Sequence, residues 1–450
     1  MSLLAGKRVV VVGLGASGVA AARLCLRRGA SVVANDGKPL NALSDQARAL
    51  QGEGATLVAG GHDRAAAGMG EADLIVVSPG VPLLAEVAAA ALRGVPVWSE
   101  IELAVRSMAS PAPIVAIGGT NGKSTTTALV GALLEAHGLR TFVGGNFGEP
   151  LADHVDERWG AVVLEVSSFQ MERVETFRPH VCALLNVTDD HLDRYDSFAE
   201  YAHAKGNAFQ RQTAQDWAVV PFDDATCLAE ARRGQGQIVT FGPGGVVDVT
   251  ADEVIDRRSG DRFARGEMTL VGRHNALNVA AAIACVAPFH VPPLTIRQVL
   301  RTMKGLPHRT ALVAEVHGVR FYDDSKGTNV GASVTAIEGL PEPRVVLIAG
   351  GRDKLGSYGP LVDALARKGR GVVVIGEAAE AIARSVGDRL PVRRAASMAE
   401  AVRAGASMAQ PGDAVLLSPA CSSFDMFRDY KHRGDEFVSA VHAIEKEARA

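Results

Sequence analysis

Apolar residues fall in short runs along the chain. Each run ends in a polar, glycine-containing turn, and most are followed by apolar residues at helical spacing. Arg8-Val-Val-Val-Val12 leads into Gly13-Leu-Gly-Ala-Ser-Gly18 and then a helix to about residue 28. Ser31 to Ala34 reads as a second strand ending at Asp36, and Leu74 to Ser78 as another that stops at Pro79-Gly80. Uninterrupted apolar strands alternating with helices predict parallel sheets covered on both faces. The pattern restarts twice. Ile114 to Ile117, Ala161 to Glu165 and Ala183 to Asn186 are strands of a second unit. Val319 to Tyr322, Arg344 to Ala349, Gly371 to Ile375 and Ala414 to Ser418 belong to a third. The breaks fall after the helix of residues 100–108, at Ser110-Pro-Ala-Pro113, and again at Gly305-Leu-Pro-His-Arg309. The expected class is α/β in three domains, 1–102, 103–306 and 307–450, which suits a chain of 450 residues.

Composition narrows the partners. A net charge of −3 without a Lys/Arg block argues against nucleic acid and membrane surfaces. No apolar run reaches the ~18 residues a spanning helix needs. The five cysteines are far apart and form no C-x-x-C pair, which fits a reducing compartment and no metal knuckle. The N-terminus runs straight into a strand, so no secretory signal is expected. The cytoplasm is the expected compartment.

One stretch carries the clearest chemistry. Strand, Gly-rich turn, Lys123, Ser124 and helix follow one another from Pro113 to Glu135. That is the layout of a triphosphate-binding loop, in which backbone amides and a helix N-terminus face phosphate oxygens. The loop is one residue shorter than the strict pattern, because Ile117 stands where that pattern has glycine. Ligands gather at the carboxyl ends of parallel strands. Glu165 and the Asp190-His191 pair stand at such ends, beside the loop, and suit a divalent cation near phosphates. Asn275 or Asn278 contacts a base or caps a helix. Gly13-x-Gly15-x-x-Gly18 with Asp36 downstream fits an NAD enzyme, another nucleotide, or plain helix–strand packing. In the third unit, strand ends expose Asp324, Lys326, Thr328, Lys354, Ser422 and Ser423, a set suited to a small anion.

Taken together, Gly118-Gly-Thr-Asn-Gly-Lys-Ser-Thr125, Glu165-Val-Ser-Ser168, Asn186-Val-Thr-Asp-Asp-His191, Gly272-Arg-His-Asn275 and His308-Arg309 resemble the ATP-dependent Mur ligases. Folylpolyglutamate synthases are more distant relatives. Asp324-Ser-Lys-Gly-Thr-Asn-Val-Gly331 and the block from Leu417 to Tyr430, with Arg433-Gly434, resemble the D-glutamate-adding branch. The resemblance implies a Rossmann-like N-terminal domain for a nucleotide sugar, a central ATPase-type domain and a Rossmann-like C-terminal domain. It implies UDP-N-acetylmuramoyl-L-alanine and D-glutamate as substrates, ATP and two Mg²⁺ as cofactors, and a monomer.

The same resemblance assigns residues. Gly15, Ala16, Ser17, Asp36, Gly37, Ser78 and Asn146 match UDP-substrate positions, so the first domain would hold UDP rather than NAD. The family commonly has larger polar residues after the aspartate, where Gly37 and Lys38 stand here. Gly119, Thr120, Asn121, Gly122, Lys123, Ser124, Thr125, Thr126, Asn278, Arg309 and Asp324 match ATP positions. Ser124 and Glu165 would hold one Mg²⁺, and His191 with Lys205 a second. Lys205 matches a lysine that relatives carry as a carbamate. Lys123, His191 and Lys205 are the implied catalytic residues. Thr328, Lys354, Ser423 and Tyr430 match the D-glutamate site, with Tyr430 where the family often has Phe. The domains must then close for chemistry and open for release. The competing readings are a sibling ligase, an NAD-dependent dehydrogenase that leaves the phosphate loop without a job, and a nucleotide-binding regulator without turnover.

Overall fold

The computed structural model describes residues 3–63, 68–190, 194–270, 272–353 and 357–449. His191 and Lys354 lie outside the described residues. Three sheets follow one another along the chain, as the restarting strand–helix pattern predicts. The first is parallel throughout, with strands β1 (Arg8–Val12), β2 (Ser31–Asp36), β3 (Thr56–Ala59), β4 (Leu74–Val77) and β5 (Val97–Ser99) in the order β3-β2-β1-β4-β5. Val9 to Val12 are fully buried, which is what an apolar run inside a covered parallel sheet requires. Helix α1 (Ala16–Arg27) crosses back over it. A Cβ on Gly18 would stand 1.8 Å from Gly13 O, so only glycine lets helix and strand approach this closely.

The second sheet contains β6 (Ile114–Gly118), β7 (Thr141–Gly145), β8 (Ala161–Glu165), β9 (Val181–Leu184), β10 (Trp217–Pro221), β11 (Gln237–Phe241), β12 (Val247–Val249), β13 (Glu253–Asp256) and β14 (Asp261–Ala264). Their order is β14-β13-β12-β11-β10-β9-β6-β8-β7. Pairing is parallel from β7 to β12 and antiparallel through the last two strands. The sequence pattern predicts β6, β8 and β9, but β7 and β10 to β14 were not anticipated. β6 lies between β8 and β9, with Ile117 beside Glu165 and Gly118 beside Leu184. The third sheet contains β15 (Ala311–Val316), β16 (Val319–Asp323), β17 (Val345–Gly350), β18 (Gly369–Ile375), β19 (Val392–Arg394) and β20 (Ala414–Leu417). Its order is β15-β16-β20-β17-β18-β19, antiparallel only between β15 and β16.

By packing, the chain divides into two units. Met1–Val187, Ala199–Ala264 and Leu277–Val299 form the first, which holds the first two sheets; Thr188–Phe198, Arg265–Ala276 and Leu300–Ala450 form the second. Among the described residues no helix is long and apolar enough to cross a membrane.

Within the first unit, helix α2 (Glu100–Ser107) ties the first sheet to the second. Glu102 Oε1 accepts Thr176 N at 2.8 Å and Arg106 Nε at 2.6 Å, and Oε2 accepts Phe177 N at 3.0 Å. Burial works to raise its pKa, but the Thr176 hydroxyl, which donates to Oε1 at 2.7 Å, with Arg106 and Thr176 N, outweighs it and holds the carboxyl below the usual range.

Glu100, two residues away, has the opposite environment. It is buried, receives Gln170 Nε2 on Oε1 at 2.6 Å, and its Oε2 has no partner. Burial pushes its carboxyl up to about 7. Between pH 4.5, the ordinary value, and about 7 the folded protein keeps a proton that the unfolded chain has lost. Stability therefore falls as pH rises through that window. Glu100→Gln is expected to match wild type in urea at pH 4 and to exceed it by roughly 1–3 kcal/mol at pH 8. An offset that is the same at both pH values would contradict this account.

Candidate functional site

The phosphate loop joins β6 to helix α3 (Lys123–Ala136). Gly122 sits at the N-cap in left-handed backbone (φ 85), and a Cβ there would lie 2.4 Å from Asn278 Oδ1. Having no side chain, Gly122 cannot cap the helix itself, so the first amides of α3 can take an anion. Asn186, just beyond β9, shapes the loop: its Oδ1 accepts Asn121 N at 2.9 Å and its Nδ2 donates to Asn121 O at 3.0 Å. Thr120 N donates to Asn186 O at 3.0 Å.

Two ammonium groups converge on this loop. Lys123 Nζ donates to Gly119 O at 2.9 Å and Thr120 O at 2.7 Å. Lys205, on helix α4 (Phe198–Gly206), is buried and also donates to Gly119 O at 2.9 Å. Its Nζ lies 4.5 Å from the centre of the Tyr201 ring, and Tyr201 Oη pairs with Thr120 Oγ1 at 3.2 Å. Two like charges on one carbonyl make a place that favours an anion. The carboxyl end of β8 supplies the opposite charge. Glu165 Oε2 accepts Ser124 Oγ at 2.5 Å, and Oε1 accepts Asn146 Nδ2 at 2.6 Å. The structure therefore brings Gly119 to Ser124, Glu165 and Lys205 together. Asn146 joins this group beside Glu165, whereas the other UDP-matching residues stand on the first sheet.

Thr126 and Asn278 are set differently. Asn278 lies inside helix α5 (Arg273–Val286), too far from its start to cap it. Its Oδ1 faces Thr126 Oγ1 at 3.4 Å, and both side chains are buried. The cap considered for Asn278 is thus corrected; its amide packs behind the loop. Asn186 and Tyr201 are contributors that motif reading did not single out. Asn186 opens a motif already quoted and Tyr201 stands on the helix of Lys205, but only the strand order places them against the loop.

On the first sheet, Gly15 is the N-cap of α1. Ser78 Oγ donates to Gly13 O at 2.7 Å and holds the glycine turn. Asp36 Oδ2 accepts Leu14 N at 2.7 Å and Oδ1 accepts Lys38 N at 2.8 Å. Asp36 thus organises the loops at the strand end.

The second unit carries its own group. His308 (φ 61) and Thr310 (φ 48) flank Arg309 in left-handed backbone, a costly arrangement for such residues. It is held in place: His308 Nδ1 pairs with Asp323 Oδ2 at 2.6 Å, Thr310 N donates to Asp324 Oδ1 at 3.1 Å, and Lys326 N donates to His308 O at 3.1 Å. Burial pushes the Asp324 carboxyl up to about 7, against the pull of Ser418 and Arg309. Arg433, fully buried on helix α6 (Tyr430–Arg449), donates to Ser325 O at 2.8 Å and Cys421 O at 3.1 Å. It ties the loop that carries Thr328 to the loop that carries Ser423. Tyr430 packs edge-on to His308, and Lys326 Nζ lies 3.9 Å from its ring centre.

Three family models match the chain in order: the Mur ligase MurD-like N-terminal domain over residues 7–99, the Mur ligase middle domain over 117–286, and the Mur ligase glutamate ligase domain over 308–421. The UDP-N-acetylmuramoylalanine–D-glutamate ligase of Anaeromyxobacter dehalogenans is 46% identical, covering 96% of this chain and 97% of its own length. The ligase of the same name from Syntrophotalea carbinolica is 43% identical over 99% of both chains. The solved UDP-N-acetylmuramate–alanine ligase of Thermotoga maritima shares the fold, with a TM-score of 0.62 at 19% identity over 97% of this chain and all of its own. The chain belongs to the Mur ligase family.

Proposed function

We propose that this chain joins D-glutamate to UDP-N-acetylmuramoyl-L-alanine, with cleavage of ATP to ADP and phosphate, in the cytoplasmic steps of peptidoglycan synthesis. The carrying observation is Lys123 on the phosphate loop at the N-terminus of α3, opposite the Ser124–Glu165 pair. It is a site built for phosphate anions with a cation beside them. The substrate assignment rests on likeness to full-length relatives of one name.

Residues 1–102 are read as the UDP-substrate domain, 103–306 as the ATP domain and 307–450 as the amino-acid domain. A carboxylate is a poor acyl donor, and transfer of the γ-phosphoryl group converts it to an acyl phosphate that the amine of D-glutamate can attack. Lys123 leaves its two loop carbonyls and follows the γ-phosphate as charge shifts toward the leaving oxygen. Asn186 keeps the loop open for the phosphates through both of its bonds to Asn121. Arg309 and Asp324 contact ATP, and Thr328, Ser423, Tyr430 and Lys354 hold D-glutamate.

The donor set fits Mg²⁺. Glu165 and Ser124 offer hard oxygens, and among the described residues no three His, Cys, Asp or Glu side chains gather into a closed cage. Mg²⁺ commonly binds through one or two carboxylates and keeps phosphate oxygens and waters. When bound, it neutralises phosphate charge. His191 and a carbamate on Lys205 are read as the ligands of a second ion. An ammonium has no lone pair to give a cation, whereas a carbamate offers two anionic oxygens and keeps one N–H that can still reach Gly119 O.

Phosphate release from ATP, with UDP-N-acetylmuramoyl-L-alanine and a panel of D- and L-amino acids, tests the reading. Release is expected with D-glutamate alone. Release with a different amino acid would move the chain to a sibling ligase, and none with any pair would reject ligation.

A further inference from the structure

The end of β2 is built around a histidine that the reaction as described leaves without a task. Asn35 is fully buried there. Its Nδ2 donates to Val58 O at 3.1 Å and to Gly61 O at 2.9 Å. Its Oδ1 then faces His62 Nδ1 at 2.6 Å. Turning the amide round would set its oxygen against two carbonyls, so its orientation is fixed by its surroundings. Nδ1 of His62 therefore carries the proton, and the neutral imidazole has its lone pair on Nε2.

Gly37 shows where Nε2 points. The backbone at Gly37 is not in the left-handed region, so conformation does not demand glycine. Space favours it: a Cβ at position 37 would stand 3.0 Å from His62 Nε2, so that the ring would have to give by a few tenths of an ångström. The ring fills the room in which a side chain at 37 would begin, next to Asp36. Both Asp36 oxygens already take backbone amides of Leu14 and Lys38. Among the described residues no hydrogen bond engages His62 Nε2. In an open parallel sheet, this strand end faces the nucleoside of a bound nucleotide.

We propose that His62 Nε2 accepts a hydrogen bond from the uridine part of the UDP-linked substrate, from a ribose hydroxyl or the imide N–H of uracil, and that position 37 is glycine to admit the ring. The proposal rests on the reading of the first domain as the UDP-substrate domain. His62 thereby supplies a contact that a larger residue after Asp36 would make.

Calorimetric titration of UDP into wild type, His62→Phe and His62→Gln tests this. Phe keeps a ring and removes the acceptor, while Gln returns an oxygen near the position of Nε2. His62→Phe is expected to weaken UDP and UDP-N-acetylmuramoyl-L-alanine about tenfold each, the size of one buried hydrogen bond. KM for ATP and D-glutamate, and kcat at saturating acceptor, should stay within about twofold, and His62→Gln should recover most of the loss. If 2′-deoxy-UDP binds wild type and His62→Phe equally, the donor is the 2′-hydroxyl; if the tenfold gap persists, it is the 3′-hydroxyl or uracil. Should the Phe ring lower the melting temperature, His62→Ala under the same titration decides. Equal UDP affinity in wild type and a folded acceptor-less variant would overturn the assignment. A wild type that binds no UDP would instead overturn the reading of the first domain.

Discussion

Lys123→Ala is expected to lower substrate-dependent phosphate release by roughly a thousandfold or more, with a melting temperature near that of wild type. The two halves of that result have separate causes. Lys123 Nζ donates to Gly119 O and Thr120 O, both carbonyls of its own loop. Lys205 still satisfies Gly119 O after the substitution. Both of these Lys123 bonds stay within one short loop, so little stability is at stake. Catalysis loses much more, because the charge moving off the γ-phosphate loses the ammonium that the phosphate loop itself carries. Lys123→Arg should recover little, since a planar, longer guanidinium does not occupy the place of a compact ammonium. A rate within tenfold of wild type for Lys123→Ala would remove the phosphate loop from the mechanism.

The difference between what the sequence told and what the structure adds follows from chain distance. The loop was legible because glycines, lysine, hydroxyl and helix are contiguous. Glu165 was legible because a carboxylate ending an apolar parallel strand has one plausible location. The Asn121–Asn186 pair and the seat of Lys205 against Gly119 and Tyr201 depend on β6 lying between β9 and β8. Periodicity does not reveal that order. The cap reading of Asn278 fails because its helix already begins at Arg273, in a polar run where the start is hard to place. The hairpin of β13 and β14 escaped notice because Glu253–Ala264 alternates too weakly to read as strands. His308 and Thr310 gave no warning of left-handed backbone, since glycine is the usual sign of it.

Lys205→Ala is the second large effect, and its rescue is more informative than its loss. As an ammonium, Lys205 contributes a bond to Gly119 O and a charge over the Tyr201 ring. If that were its whole role, the variant would lose some loop order, and an added cation such as methylammonium would restore more activity than an anion. A carbamate role gives the reverse outcome. Truncation leaves a cavity beside Tyr201, bordered by the loop carbonyl, and removes an anionic oxygen pair from the cation site. Activity should fall by roughly a thousandfold. Acetate or formate at tens of millimolar should return part of it, by placing a carboxylate where the carbamate stood. The wild-type enzyme should itself lose activity in buffer stripped of CO₂ and regain it on addition of bicarbonate, with no change in melting temperature. Rescue by methylammonium instead of acetate, in a folded Lys205→Ala protein indifferent to CO₂, would assign Lys205 to the loop as a plain cation.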